Sequence, residues 1–92
     1  MLRRMWEKLT PPAIRLLLFL SDKEPYIGFR DLRKEVKWSQ SKLKGAIRNL
    51  EQLGLLTVTP MRATPPKNIY KLTEKGRRVC ELLKQLEALL QP

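Results

Sequence analysis

The sequence predicts an α+β fold that is mostly α: a three-helix core, a two- or three-stranded hairpin layer, and a further helix at each end. Three observations predict it. Residues 39–53 repeat apolar side chains at helical spacing. Leu43, Ile47 and Leu50 fall at i, i+4 and i+7, and Ala46 and Leu53 widen the same face. After Gly54 the period drops to two, with Leu56 and Val58 alternating with Thr57 and Thr59. After Thr73 the apolar residues return at heptad spacing as Val79, Leu82, Leu83, Leu86, Leu89 and Leu90.

The elements follow in chain order. Leu2, Met5, Trp6 and Leu9 predict a short amphipathic helix over residues 1–9, too short to stand alone in water. It must lean on its own core or on a second copy; a membrane-surface anchor is the remaining use of Trp6 among Arg3, Arg4 and Lys8. Residues 10–38 hold the first two core helices. Thr10 caps the first, with Pro11 at its opening position. Ile14, Leu16, Leu17, Leu18, Phe19 and Leu20 cover most of its circumference, so it should be buried apart from Arg15. A polar loop, Ser21 to Tyr26, carries the breaker Pro25, and Tyr26-Ile27 has the makings of a very short strand. Gly28 to about Val36 is the second helix, with Phe29, Leu32 and Val36 inward. Lys37-Trp38 then turns the chain, and Trp38 is placed to pack on the core rather than to stack on a base.

Ser39 caps the third helix, residues 39–53, and Gly54 supplies the left-handed residue that ends it. Residues 55–72 form a hairpin. Its strands are Leu56–Thr59 and Asn68–Leu72, joined by a loop over residues 60–67 that three prolines stiffen. Thr73 caps the closing helix, residues 73–91. Its leucine stripe has no obvious core left to cover and suggests pairing with another chain.

Charge narrows the partner. The chain of 92 residues carries a formal net charge of +10 and a pI near 10.3. That balance suits a polyanion, nucleic acid first and an anionic membrane surface second. The excess is not even: residues 39–72 hold six cations and one anion, whereas residues 73–92 hold four and three. One cysteine, Cys80, excludes an internal disulfide. With no histidine there is no Ser-His or Cys-His pair and no expected metal site. Isolated glycines form no phosphate-cradling loop. The reading is therefore a non-enzyme without cofactor, metal or secretion signal, cytoplasmic and associated with the nucleoid in a prokaryote. Cys80 is read as a small residue at the edge of the leucine stripe, with a redox switch as the rival.

The third helix carries the chemistry. Its outer face presents Ser41, Lys44, Gly45, Arg48 and Gln52, only Glu51 breaks the cationic run, and the candidate DNA contacts are Ser39, Gln40, Ser41, Lys42, Lys44, Gly45, Arg48 and Asn49. The second helix of a helix–turn–helix lies in the major groove with its first residues on base edges. Gln40 and Asn49 offer the paired donor and acceptor that suit adenine; Lys42, Lys44 and Arg48 suit guanine or phosphate; Ser41 bonds either. Gly45 lets the helix axis approach the groove floor. Arg62 and Lys67 on the hairpin loop supply a second contact, to the minor groove or its flanking phosphates. An ordinary solvated helix face and a mobile loop are the plain alternatives.

The stretch Trp-Ser-Gln-Ser-Lys-Leu…Ile-Arg-Asn-Leu-Glu-Gln-Leu-Gly-Leu-Leu at 38–56, followed by Tyr-Lys-Leu-Thr-Glu-Lys-Gly at 70–76, resembles winged-helix transcription regulators of the MarR type and their archaeal relatives. The resemblance covers about residues 10–80. It implies that residues 39–53 are the recognition helix, 60–67 the wing, and the terminal helices a dimer interface built from Leu2, Met5, Trp6, Leu9, Val79, Leu82, Leu83, Leu86, Leu89 and Leu90. Two departures stand out. The chain is shorter than typical MarR proteins, which leaves little room for an effector pocket, and Lys37-Trp38 occupies a turn where smaller apolar residues are usual. The expected function is sequence-specific binding of double-stranded DNA by a homodimer that regulates transcription. The rivals are a nonspecific chromatin-coating protein and a winged helix that serves only protein assembly.

Overall fold

A computed structural model describes residues 4–92. The predicted contact residue Leu2 lies outside the described residues. The elements are a 3-10 helix at Met5–Lys8, then α1 (Pro11–Ser21), β1 (Tyr26–Ile27), α2 (Phe29–Val36), α3 (Gln40–Gln52), β2 (Leu56–Met61), β3 (Lys67–Leu72) and α4 (Glu74–Leu90). The strands form one antiparallel sheet in the order β1-β3-β2. Helix α1 lies against α3 and α4, and the sheet closes the other side of α3.

The core is aliphatic. Ala13, Leu16, Leu17 and Leu20 from α1 meet Leu32, then Leu43, Ala46, Ile47 and Leu50 from α3, with Leu55, Leu56, Tyr70, Leu72 and Cys80 below them. Every side chain expected on the inner face of α3 is there. Leu53 and Trp38 pack half-buried at its two ends. The short strand expected at Tyr26-Ile27 forms and pairs with Tyr70 and Ile69. It is the third strand of the sheet and leaves β2 on the opposite edge. Pro60 is therefore tolerated opposite Asn68 as an outer-edge residue. The strands run further than alternation suggested, to Met61 and from Lys67, so the turn shrinks to residues 62–66 and Lys67 lies in a strand, not in the loop.

Two further expectations are corrected. Among the described residues the expected N-terminal helix is a four-residue 3-10 helix, Met5–Lys8, that stops before Leu9. Pro11 keeps Thr10 out of the helical region, and Leu9 before it is extended too, so the turn does not run on into α1. Leu9 packs on the core, while Met5 and Trp6 stand 63% and 71% exposed. The leucine stripe also divides. Gly76 and Cys80 of α4 are buried, and Val79 and Leu83 pack on the core. The first turns of α4 thus do cover remaining core, and Cys80 belongs to that core rather than to a boundary, its thiol facing the Leu17 carbonyl. Leu82, Leu86, Leu89 and Leu90 stay exposed, the last two by 82% and 73%.

One junction joins α3, the sheet and α4. Gly54 takes φ +73° and ends α3. The Thr73 amide donates to the Leu55 carbonyl (3.1 Å), and its hydroxyl donates to the Gly54 carbonyl (2.7 Å) while accepting from the Gly76 amide (2.9 Å). Lys75 donates to the Leu53 carbonyl at 3.1 Å. A Cβ at Gly76 would overlap the Leu55 carbonyl oxygen, which is backbone and has nowhere to go. A second clamp is Glu24, which receives two hydrogen bonds from Arg77, each of 3.0 Å, and one from the Leu72 amide at 3.1 Å. The Arg77 bond holds its carboxyl below the ordinary value, against the opposing effect of burial.

These two clamps give two expectations. Gly76→Ala should destabilise the domain by about 1–3 kcal/mol, the usual range for a forced overlap; a thermal midpoint equal to that of the parent would show that α4 docks differently. Glu24 is 14% exposed and Arg77 44%, so solvent screens the pair in part. Glu24→Gln should cost on the order of 1 kcal/mol at neutral pH. Because the folded pKa is depressed, the carboxylate's contribution is complete above its ordinary value of 4.5 and disappears as pH falls through the folded value. The stability gap between the parent and Glu24→Gln should close on acidification below that point. A gap that stays constant to strongly acidic pH would assign the loss to geometry rather than charge.

Candidate nucleic-acid interface

Helix α3 is set up locally. Ser39 is extended, and its hydroxyl accepts from the Lys42 amide at 3.2 Å, which caps the first turn. The preceding turn is held by Lys37 in the left-handed region at φ 59° and by Arg33, whose Nε donates to the Trp38 carbonyl at 3.2 Å. These bonds fix the angle between α2 and α3.

The outer face of α3 is exposed at Gln40, Ser41, Lys42, Lys44, Gly45 and Arg48. Ser41, Gly45 and Arg48 follow each other at i, i+4 and i+7 and form one stripe. Among the described residues the side chains of Gln40, Ser41 and Arg48 have no hydrogen bond or ion pair. The lysines beside them are steered. Lys42 Nζ lies 4.6 Å from the centre of the Trp38 ring, and Lys44 Nζ lies 5.9 Å from that of Phe29. Their stems are thus partly fixed while their charges stay at the surface. Trp38 therefore serves as a platform for Lys42 as well as a core contact.

Gly45 is the informative position. A glycine in mid-helix costs about 1 kcal/mol relative to alanine. A Cβ there would meet nothing within 4 Å, so no packing within the chain calls for glycine.

Asn49 departs from the sequence reading. Its side chain points away from the Ser41–Arg48 stripe and is engaged inside the molecule. Nδ2 donates to the Lys8 carbonyl at 2.7 Å, and Oδ1 accepts from the Thr10 amide at 3.1 Å and the Thr10 hydroxyl at 3.3 Å. The carboxamide oxygen accepts twice and one amino N–H is engaged, so the group is held against the N-terminal segment rather than along the stripe.

The hairpin stands beside this face and makes two clefts with the helices. A shallow cleft of about 280 Å³ between α3 and the hairpin is lined by Lys44, Arg48 and Glu51 on one side and Asn68 and Tyr70 on the other. A second cleft, about 830 Å³, lies between the start of α2 and the hairpin and gathers Arg30, Lys34 and Lys67 around Asp31. Sequence pattern does not mark Arg30, Lys34 or Asn68, because residues 30 and 34 look like an ordinary solvated helix face until the hairpin folds beside them. Arg62 lies in the exposed turn. The tyrosines of the sheet add no charge. Burial, and then the Glu35 carboxylate, pushes Tyr26 up to about 12, and burial raises Tyr70. Among the described residues no group of His, Cys, Asp and Glu is arranged to hold a metal ion, and no helix is long and apolar enough to cross a membrane.

Three core helices, a capped third helix with a cationic outer face and a hairpin beside it define a winged helix–turn–helix of the kind found in DNA-binding transcription regulators. The profile of the HxlR-like helix-turn-helix family matches residues 14–91. The chain belongs to that family, which refines the expected MarR-type affiliation. Solved structures agree. The transcriptional regulator homologue from Pyrococcus horikoshii OT3 superposes with a TM-score of 0.79 at 23% identity, over 94% of this chain and 87% of that one. The reduced form of the transcriptional regulator YodB from B. subtilis gives 0.74 at 25% identity, over 90% and 81%. A PadR-like transcription factor from Bacteroides fragilis gives 0.74 at 25%, over 92% and 86%. No curated protein sequence matches.

Gly45→Ala should raise the thermal midpoint, by an amount corresponding to about 0.5–1 kcal/mol, and at the same time weaken DNA binding. Stabilisation with binding unchanged would remove Gly45 from the interface.

Proposed function

We propose that this winged-helix regulator binds duplex DNA as a homodimer, with α3 in the major groove and the hairpin against the adjacent backbone or minor groove. The observation that carries the reading is the outer face of α3. Gln40, Ser41 and Arg48 are unpartnered around a glycine that the fold itself does not need. Gln40 and Ser41 sit in the first turn, where a recognition helix meets base edges, and suit adenine or either base. Arg48, with Lys42 and Lys44 steered along the same face, suits guanine or phosphate. Arg62, Lys67, Arg30 and Lys34 extend the positive surface across the hairpin and α2 toward flanking phosphates.

The exposed Met5 and Trp6, and Leu82, Leu86, Leu89 and Leu90 on the free end of α4, support pairing of two chains. A twofold pair calls for half-sites about one helical turn apart, ~34 Å.

Selection of bound sequences from a random duplex pool tests the reading. Enrichment of a pseudo-palindrome is expected. Arg48→Glu should abolish binding with the fold intact. Arg62→Ala should weaken all duplexes alike and flatten the salt dependence by about 0.9 log unit for each phosphate it no longer neutralises. A pool that shows no enrichment, with a specificity ratio near one, would replace the regulator by a nonspecific DNA-coating protein.

A further inference from the structure

We propose that Asn49 is a positioning residue. It locks the N-terminal segment to the recognition helix and so sets the spacing at which two copies of α3 stand on DNA. This role rests on the paired-subunit reading above and adds to it the element that fixes the geometry of the pair.

The segment cannot orient itself. Met5–Lys8 is a single 3-10 turn closed by local bonds, from the Glu7 amide to the Arg4 carbonyl and from the Leu9 amide to that of Trp6. A turn of that length does not hold its own direction in water. Its direction must come from tertiary contacts. Leu9 supplies one, as an apolar anchor on the core. An apolar anchor fixes position but not rotation, because burial is non-directional. Asn49 supplies the directional part, with three hydrogen bonds to two points of the segment on either side of Leu9. The lock continues inward: the Thr10 hydroxyl that donates to Asn49 also caps α1, through the Ala13 amide at 3.4 Å.

The residue type fits this task closely. A carboxamide carries an oxygen that accepts twice and an amino group that donates, on one planar group. Aspartate would keep the acceptor for Thr10 but set a carboxylate against the Lys8 carbonyl. Alanine would keep neither. Asn49 is also the sequence neighbour of Arg48, so the residue that fixes the segment and a residue of the DNA-facing stripe share one rigid helix. The groups on the segment so held, Met5 and Trp6, are the most exposed large apolar side chains outside α4 among the described residues. The segment that carries those two side chains is tied to α3 by the 2.7 Å bond from Asn49 to the Lys8 carbonyl.

The test uses the full chain and duplexes recovered from the random pool, rebuilt as single half-sites and as paired half-sites with the spacer lengthened or shortened. The parent should bind paired sites with a steep penalty for altered spacing. Asn49→Ala should leave single half-site affinity and base preference unchanged and reduce the spacing penalty about tenfold, the scale of one net hydrogen bond. Asn49→Asp, which retains the Thr10 bonds, should fall between the two and serves as the readout should the alanine variant fold poorly. A full spacing penalty in both variants would overturn the proposal and leave the paired reading standing. Loss of single half-site affinity with altered base preference would overturn it in favour of Asn49 as a direct reader. A parent with no spacing penalty would remove both the pair and the lock's role in it.

Discussion

The fold depends on the junction at Gly54-Leu55. Three elements meet there within a few residues, and none has room to move. The carbonyls of Leu53, Gly54 and Leu55 receive Lys75, the Thr73 hydroxyl and the Thr73 amide. Helix α4 approaches so closely that only glycine fits at position 76. Because α3 ends and β2 begins at this point, α3 and the hairpin have a fixed relative position. Two clefts follow from that: Lys44 and Arg48 line one with Asn68, and Lys67 lines the other with Arg30 and Lys34.

Helix α3 then divides its circumference three ways. One side is the aliphatic core. The outer side is open and cationic. The third, at Asn49, holds the chain's own N-terminal segment. The division matters because a residue's chemistry does not decide which sector it serves. Asn49 and Gln40 carry the same functional group on the same helix. One is engaged at both ends by Lys8 and Thr10, while the other faces outward. Lys42 and Lys44 show an intermediate case, in which aromatic rings of the neighbouring turn and helix set their direction and leave their charges exposed.

Helix α4 has a comparable division along its length. Its first turns bury Gly76 and Cys80 and pack Val79 and Leu83 on the core. Beyond Leu83 the apolar positions find nothing. At 1.5 Å per residue the remaining turns extend roughly 10 Å past the core. The heptad spacing is continuous through this boundary, so periodicity alone could not reveal it. The buried thiol of Cys80 belongs to the inner part, where it packs as a small apolar side chain.

By itself the sequence determined the elements and their order. The periods of 3.6 and 2, the caps at Thr10, Ser39 and Thr73, and the glycine at 54 are local properties, and each marks its element regardless of what lies nearby. The inner face of α3 and the cationic character of its outer face were legible for the same reason. A local signal also governs the N-terminal segment, where Pro11 keeps Thr10 out of the helical region and that backbone constraint overrides the apolar spacing before it. Only the tertiary structure decided which exposed-looking groups are engaged. The partners of Asn49 lie 39 and 41 residues away in the chain, and the Glu24–Arg77 clamp spans 53. Hydrogen bonds of this kind require two distant backbones to converge within about 3 Å. Nothing in the spacing of either segment announces that convergence. It exists only once the core has set α1, α3 and α4 against one another.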